Sequence, residues 1–345
     1  MSFDRCVPSA ALSVEKMGLN WFVCAILSTL LWACADLFYK KGADSEDKYS
    51  HLRTVIMVGF VMGIHAIAYM IINKLEFNPM HLLLYLPVSF CYIFSMTVGY
   101  IGLRYLELSI VSPIQNSSGA VAAILLFFLG GAKIGELVTP TGMINVVGIL
   151  IITAGVLGLA FIEKKEEIPV KVTSENKKYI SGLVAICFPI VYCIFDSLGT
   201  VLDGVYLDQR EIMTSDEALI AYELTFLIAA VVCLLFLTVV KKEKFSIIGE
   251  RDKGFAAIFE TAGQFFYVFA MEGEAIVAAP IVASYCIFSV ILSRIFLKEK
   301  LSRMKYVTVA LVMAGIVILG ISEGISEEYG DEISEEDVVT VSAVE

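Results

Sequence analysis

Residues 218–240 read ALIAYELTFLIAAVVCLLFLTVV, and this stretch decides the class of fold. It contains a single charged residue, Glu223, and it is long enough to cross a bilayer, because about 20 helical residues span the roughly 30 Å hydrocarbon core. The rest of the 345-residue chain has the same character, with 58% hydrophobic and 18% charged residues. Soluble domains carry about a quarter charged residues. The composition therefore predicts a protein embedded in lipid.

Apolar runs of this kind recur along the chain, and lipid cannot satisfy free backbone groups, so each run predicts a helix. We expect an all-α polytopic membrane protein with ten transmembrane helices. We expect no cleavable signal peptide, because residues 1–16 are polar and irregular and the first run is long enough to span; Met1 and Met17 are both candidate starts. The predicted spans are 20–39, 54–73, 82–103, 108–131, 141–162, 179–200, 218–240, 254–272, 275–297 and 305–322.

The formal net charge of −11 arises from the C-terminal end of the chain. Residues 323–345 hold nine acids and no Lys or Arg, and without these nine charges the net charge is −2. Such a segment has too little apolar surface to pack, so we expect a disordered acidic tail. No basic stripe is present to neutralise phosphates, and we expect no nucleic-acid partner.

The two halves of the sequence repeat each other. Glu107-Leu-Ser-Ile-Val-Ser-Pro113 is echoed by Glu274-Ala-Ile-Val-Ala-Ala-Pro280, and a tyrosine stands seven residues before each glutamate. Further landmarks recur in the same order: Gly135-Glu136 and Lys298-Glu299, Ala154-Gly155 and Ala314-Gly315, Trp32 with Asp36 and Tyr192 with Asp196. Because each copy would have five spans, the second copy would insert upside down. The sequence thus predicts two inverted five-helix repeats with a site between them.

These duplicated stretches resemble the paired EamA-type domains of the drug/metabolite transporter superfamily. The resemblance implies alternating access around a central cavity lined by helices one, three, four, six, eight and nine. Two departures are a longer Pro113 to Glu136 segment and a longer, acid-rich joint at 201–217. The implied organisation is an N-terminal extension, a first EamA-like five-helix repeat, a charged linker, a second EamA-like five-helix repeat and the acidic tail, at residues 1–19, 20–162, 163–178, 179–322 and 323–345.

Carboxylates within the apolar runs are the strongest candidates for function, because ionised groups are costly in lipid. Asp36 and Asp196 lie near the ends of their helices and could be protonatable or cation-binding groups on a transport pathway. Lys40, four residues after Asp36, offers a simpler explanation as an ion-pair partner. Glu260, Gln264 and Tyr267 share one face of the eighth helix. Either Asp196 or Glu260 could carry a coupling proton.

Other polar and aromatic residues extend the predicted pathway. Tyr100 matches Tyr267 in the repeat, and Gln115 and Asn116 lie on the polar face of the fourth helix. Aromatic side chains could form a wall that binds a cation. Pro113 and Pro280 should kink helices four and nine by freeing backbone carbonyls. The aromatic candidates are Trp32, Tyr192, Tyr267 and Tyr285.

Several features have a structural interpretation. Glu223 lies close to a helix start, where an acid is favoured, and His65 is more simply a packed histidine. Glu136 and Glu299 fit helix caps or loop anchors better than ligands. The small residues at Ala154–Gly158 and Ala310–Ala314 predict helix contacts.

The sequence favours a secondary active transporter of a small organic metabolite, and proton coupling is one option for it. It does not favour an enzyme, because no catalytic motif is present. An organic cation, amine or drug exporter is the alternative within transport. A non-transporting membrane receptor or scaffold and a lipid-modifying enzyme are alternatives of other classes. No metal and no cofactor are expected. The expected partners are a small-molecule solute and the lipid bilayer, and monomer and homodimer are both open.

The orientation of this multi-pass protein in the cell membrane depends on the argument used. In a ten-helix arrangement one side would hold 20 of the 25 Lys and Arg residues. The positive-inside rule places that side in the cytoplasm and both termini outside. The family resemblance implies the opposite, with both termini cytoplasmic.

Overall fold

The computed structural model describes residues 19–129, 140–165, 185, 187–299, 302–304, 306–319 and 321–322. Within these ranges the structure consists of helices and their connections, with no strand. The predictions for the N-terminal extension up to residue 18, for Gly135-Glu136, for most of the charged linker and for the acidic tail lie outside the described residues. The expectation of an all-α protein is confirmed for the part that is described.

The helices follow the apolar runs of the sequence. In chain order they are α1 (Trp21–Gly42), α2 (Ser50–Asn73), α3 (Met80–Leu84), α4 (Leu86–Leu103), α5 (Leu108–Leu129), α6 (Pro140–Lys165), α7 (Cys187–Gly204), α8 (Ser215–Leu235), α9 (Arg251–Ala283), α10 (Tyr285–Leu292) and α11 (Tyr306–Leu319). Three of them continue into a wider π-helical turn, at Val205–Gln209, Phe236–Val240 and Ser293–Leu297.

Six helical segments among the described residues are long and apolar enough to cross a membrane. They are Trp21–Gly42, Ser50–Asn73, Leu86–Leu103, Cys187–Gln209, Ser215–Val240 and Ile248–Leu297. The last covers two predicted spans, and the shorter apolar helices Gly142–Gly158 and Tyr306–Leu319 lie in two others. A multi-pass membrane protein is therefore supported, while ten separate spans and their inverted symmetry stay predictions.

Of two predicted boundaries, one was wrong and the other agrees with the structure. The predicted joint 201–217 is helical as far as Gln209 and again from Ser215. Asp203 within it is buried against tyrosine hydroxyls. The predicted boundary between residues 272 and 275 agrees with the structure, because Glu274 inside α9 has the non-helical angles φ −159° and ψ 74°. The chain reverses direction there: Gly263 and Gly273 lie against Trp32 and Trp21, whereas Ile281 and Ser289 contact Thr29 and Asp36. A second turn follows at Ser284, whose hydroxyl donates to the carbonyl of Ile281.

The core is formed by the pairing of helices from both halves of the chain. α1 packs along α9, α2 along α8, and α7 against α4 and α5. Glycines allow the closest approaches: a Cβ on Gly119 would lie 2.2 Å from the Cβ of Ala283, and a Cβ on Gly155 would lie 2.3 Å from Val312. Gly158 faces Thr308 in the same α6–α11 interface. The structural interpretation of the small residues near 154–158 and 310–314 therefore agrees with the packing.

Polar contacts join the helix connections to one another at each end of the bundle. At one end, Arg53 donates to the Lys244 carbonyl at 2.6 Å and Arg104 to the Asp44 carbonyl at 3.1 Å, which joins the α1–α2, α4–α5 and α8–α9 connections. At the other end, Asp208 accepts from the backbone N–H of Ala275. The α7–α8 connection thus lies beside the break in α9.

Candidate functional site

A polar cavity lies between the helices of the two halves. Its lining comes from α1, α4, α5, α7, α9 and α10, with Tyr222 added from α8. The cavity volume is about 70 Å³, which is room for several water molecules. All eleven residues predicted for the pathway line it, namely Trp32, Asp36, Tyr100, Gln115, Asn116, Tyr192, Asp196, Glu260, Gln264, Tyr267 and Tyr285.

Asp36 is held on the cavity wall by two hydroxyl groups from other helices. Its Oδ2 accepts from Ser112 at 2.6 Å and from Ser289 at 2.7 Å. Lys40 donates to the main-chain carbonyls of Leu103, at 2.7 Å, and of Leu106. The described contacts of Lys40 therefore cap the end of α4, and those of Asp36 link α1 to α5 and α10.

Asp196 has a similar arrangement on α7. Its Oδ2 accepts from the hydroxyl of Ser118 at 2.6 Å, and Ser197 fastens the same two helices by donating to the carbonyl of Ser118 at 3.2 Å. Serine donors on α5 thus hold both aspartates, Ser112 for Asp36 and Ser118 for Asp196. Such bonds to an ionised acceptor are stronger than bonds between neutral groups.

Glu260 and an aromatic group complete the wall on the side of α1 and α9. The indole N–H of Trp32 donates to the main-chain carbonyl of Glu260 at 3.2 Å, which fixes the ring. Trp32 lies 5.0 Å from the ring of Tyr267 and 5.8 Å from that of Tyr285, centroid to centroid. The indole fits here because a Cβ on Gly263 would lie 2.3 Å from it.

Three amides lie among these groups. Asn116 donates to the carbonyl of Ser112 at 2.8 Å and to its hydroxyl at 3.2 Å. Gln115 and Gln264 are each 4% exposed, and the Nε2 of each has no hydrogen-bond partner among the described residues. A buried donor without a partner costs about 1–3 kcal/mol. These two amides are therefore available to a molecule that enters the cavity.

The cavity has an unbalanced charge. Asp36, Asp196 and Glu260 line it, and none of the described lining residues is Lys, Arg or His. A hydrogen bond to a charged group contributes about 1.5–3 kcal/mol, whereas the effective penalty for burying an ion is several kcal/mol. Hydroxyl donors alone therefore do not offset three buried negative charges. Protons or a cationic ligand must supply the balance.

A second carboxylate on α7, Asp203, was missed by the sequence interpretation. It is fully buried and accepts from Tyr85 and, at 3.4 Å, from Tyr92. The hydroxyls of Tyr92 and Tyr267 lie 2.7 Å apart, which connects this network to the cavity. The signal was available, because Tyr192, Asp196 and Asp203 recur at helical spacing along one face.

The structural interpretations of other polar residues had mixed outcomes. Glu223 and His65 were treated separately, yet both oxygens of Glu223 lie within 2.9 Å of His65 Nδ1. They pair α8 with α2 outside the cavity. Glu299 accepts from the backbone N–H groups of Leu108 and Ser109, at 3.2 and 3.0 Å, so it caps α5 as expected.

The two prolines lie inside helices that line the cavity, Pro113 in α5 and Pro280 in α9. Each removes a backbone N–H and leaves the carbonyl four residues earlier without its helical donor. The non-helical residue of α9 is Glu274, six positions before Pro280. The predicted kinks at the prolines themselves stay predictions. Among the described residues, no group of three His, Cys, Asp or Glu side chains could hold a metal ion.

Comparison with known proteins agrees with this architecture. Twenty-eight chains of solved structures match the fold. One crystal structure aligns with a TM-score of 0.57 at 11% identity, over 86% of this chain and 95% of the other. At that identity the likeness shows the fold alone. No curated protein matches the sequence significantly.

The helices and the polar cavity define a multi-pass membrane protein. Residues 210–321 match the model of the EamA-like transporter family, so the chain carries an EamA-like transporter domain. This match is consistent with the resemblance to the drug/metabolite transporter superfamily. The match suggests a membrane transporter of the drug/metabolite type.

Proposed function

We propose that this protein is a secondary carrier that moves a small organic solute through the cavity by alternating access. The observation that carries the proposal is that one internal cavity is lined from both predicted repeats. α1, α4 and α5 contribute from the first, and α7, α9 and α10 from the second. A site between repeats can be opened to either side when the repeats move relative to each other.

Irregular backbone near the cavity supports such a motion. α9 contains Pro280, and α5 contains Pro113. α7 and α10 end in π-helical turns at Val205–Gln209 and Ser293–Leu297. Breaks of this kind weaken the helical hydrogen-bond ladder. Four of the helices that line the cavity therefore have a place where they can bend.

Proton coupling is the second part of the proposal. Asp36 and Asp196 have serine donors that stabilise their ionised forms. Glu260 lines the same cavity as both aspartates, so the three like charges repel one another. We assign the coupling proton to Glu260, because protonation there removes the repulsion while leaving the aspartates free for the solute.

Alternating access can be tested without knowing the solute. Val282 lines the cavity and is small and buried, so we choose Val282→Cys in a cysteine-free background. In proteoliposomes, membrane-impermeant thiol reagents of either charge should label it from both sides. The matched control is Ile64→Cys, at a side chain that is 68% exposed on the apolar surface of α2, which should be labelled from neither.

Labelling of Val282→Cys from one side only would contradict the carrier. It would favour a receptor or scaffold whose cavity opens to a single face of the membrane. The unlabelled control shows that a cysteine in the hydrocarbon region does not react, so labelling of Val282→Cys reports access of water and reagent to the cavity.

A further inference from the structure

The charges of the cavity indicate the chemistry of its occupant. Three carboxylates face the same small volume, and none of the described lining residues carries a positive charge. The aspartates are fixed in place, since the Oδ2 of each accepts a serine hydroxyl at 2.6 Å. Asp196 also accepts from the hydroxyl of Tyr192. With Glu260 protonated, the two aspartates still require a cation.

The aromatic residues distinguish a cationic solute from protons alone. A proton on a carboxylate gains nothing from a nearby ring, whereas an organic ammonium ion is attracted to the face of Trp or Tyr. Trp32 is fixed by its bond to the Glu260 carbonyl, and Tyr267 and Tyr285 stand beside it at 5.0 and 5.8 Å. Tyr192 lines the cavity as well.

The two glutamines point to a second feature of the occupant. Gln115 and Gln264 are nine-tenths buried or more, and their Nε2 atoms have no partner among the described residues. Both line the cavity. An N–H donor in this position is satisfied by an acceptor on the solute, such as a hydroxyl or carbonyl oxygen.

We propose that the transported solute is a small organic ammonium ion that also carries a hydrogen-bond-accepting oxygen. Asp36 and Asp196 bind the ammonium group against the aromatic wall, and Gln115 and Gln264 donate to the oxygen. This inference rests on the proposed transport function and names the class of its substrate. Amino alcohols and their N-methylated forms have this chemistry at a size that suits the cavity.

Probes of matched shape test the charge. Choline and ethanolamine are compared with the neutral alcohols 3,3-dimethyl-1-butanol and 1-propanol, with sodium chloride added to equalise ionic strength. A ligand that binds the folded protein raises its apparent melting temperature in proportion to ln(1 + [L]/Kd). We expect a saturable rise with at least one cation, and an affinity at least about tenfold above that of its neutral counterpart, from cation–π attraction and charge together.

A third probe tests the oxygen. Propyltrimethylammonium has a methyl group where choline has its hydroxyl. If Gln115 and Gln264 bind the oxygen, choline binds more tightly than propyltrimethylammonium, and the double variant Gln115→Leu with Gln264→Leu removes that difference. Equal affinities in the wild-type protein would overturn this part of the proposal.

Two aspartate variants test which residues cause the preference for a cation. Asp36→Asn and Asp196→Asn keep a side chain that can accept the serine hydroxyls, and each should abolish the preference for the cation. The control is Glu223→Gln, a buried acid paired with His65 outside the cavity, which should retain the preference. If an aspartate variant does not fold, the comparison of charged and neutral probes on the wild-type protein still decides.

The result that overturns the proposal is a cation that binds no better than its neutral counterpart. In that case the carboxylates are balanced by protons. This failure is separable from failure of the transport function, because Val282→Cys would still be labelled from both sides. Conversely, cation binding with one-sided labelling would leave a cation site in a protein that does not transport.

Discussion

At the scale of single residues, Glu260 is the position where proton coupling can be separated from solute binding. Glu260→Gln keeps the size of the side chain and its polar end but cannot exchange a proton. With a solute that raises the melting temperature, we expect pH-driven uptake into proteoliposomes to fall to background while solute exchange at equal pH continues.

The control for this prediction is Glu223→Gln, another buried acid of the same bundle. It should keep pH-driven uptake, because Glu223 contacts His65 rather than the cavity. If Glu260→Gln were still driven by pH to the wild-type extent, the coupling proton would have to reside elsewhere, with Asp196 the next candidate.

At the same scale, part of the candidate site could be predicted from the sequence alone. A carboxylate in the middle of an apolar run is conspicuous, and Asp36, Asp196 and Glu260 were found in this way. Asp203 was missed because it follows the run that seemed to end at residue 200, and its partners Tyr85 and Tyr92 lie more than 100 positions earlier. Contacts between distant helices are set by tertiary packing, which no local pattern contains.

At the scale of helices, glycines determine how closely the two halves approach. A Cβ at Gly119 would lie 2.2 Å from the Cβ of Ala283 and 2.8 Å from the carbonyl of Ala279. Because a main-chain atom cannot swing aside, Gly119→Ala must push α5 away from α9. We expect it to lower stability by about 1–3 kcal/mol, the usual cost of overpacking, measured as a lower melting temperature in detergent.

The matched control is Gly158→Ala in α6. Its nearest neighbour would be the Cγ2 of Thr308 at 3.4 Å, which is an ordinary contact. Alanine is also the better helix former, by up to about 1 kcal/mol, so this variant should be neutral or slightly more stable. Equal losses in both variants would mean that the glycines matter for backbone propensity and not for close approach.

Helix boundaries were less predictable than the existence of the helices. Apolar runs located the spans, because a helix that crosses lipid must be apolar. The same runs do not indicate where a helix bends. The helix predicted to end at residue 200 continues to Gln209, and the predicted run 82–103 is interrupted at Tyr85, after which α4 begins with Pro87 in its first turn. Both boundaries depend on local backbone geometry that hydrophobicity does not encode.

At the scale of the whole molecule, contacts between the helix connections show which basic residues lie at the same end of the bundle. Arg53 and Arg104 tie together the α1–α2, α4–α5 and α8–α9 connections. Glu299, at the start of the connection that leads to α11, caps α5 at the same end. These connections belong to the side that the sequence predicts to hold 20 of the 25 Lys and Arg residues.

The orientation prediction follows from that clustering. The positive-inside rule depends on Lys and Arg in short connections and not on net charge, so the acids that pair with Arg53 do not weaken it. We expect the basic end to be cytoplasmic and both termini to lie outside, against the implication of the family resemblance. Alkaline phosphatase fused after residue 345 should be active, and a fluorescent protein at the same position should be dark. A fluorescent fusion with silent phosphatase would place the termini in the cytoplasm and show that the family's orientation prevails over the charge bias of this chain.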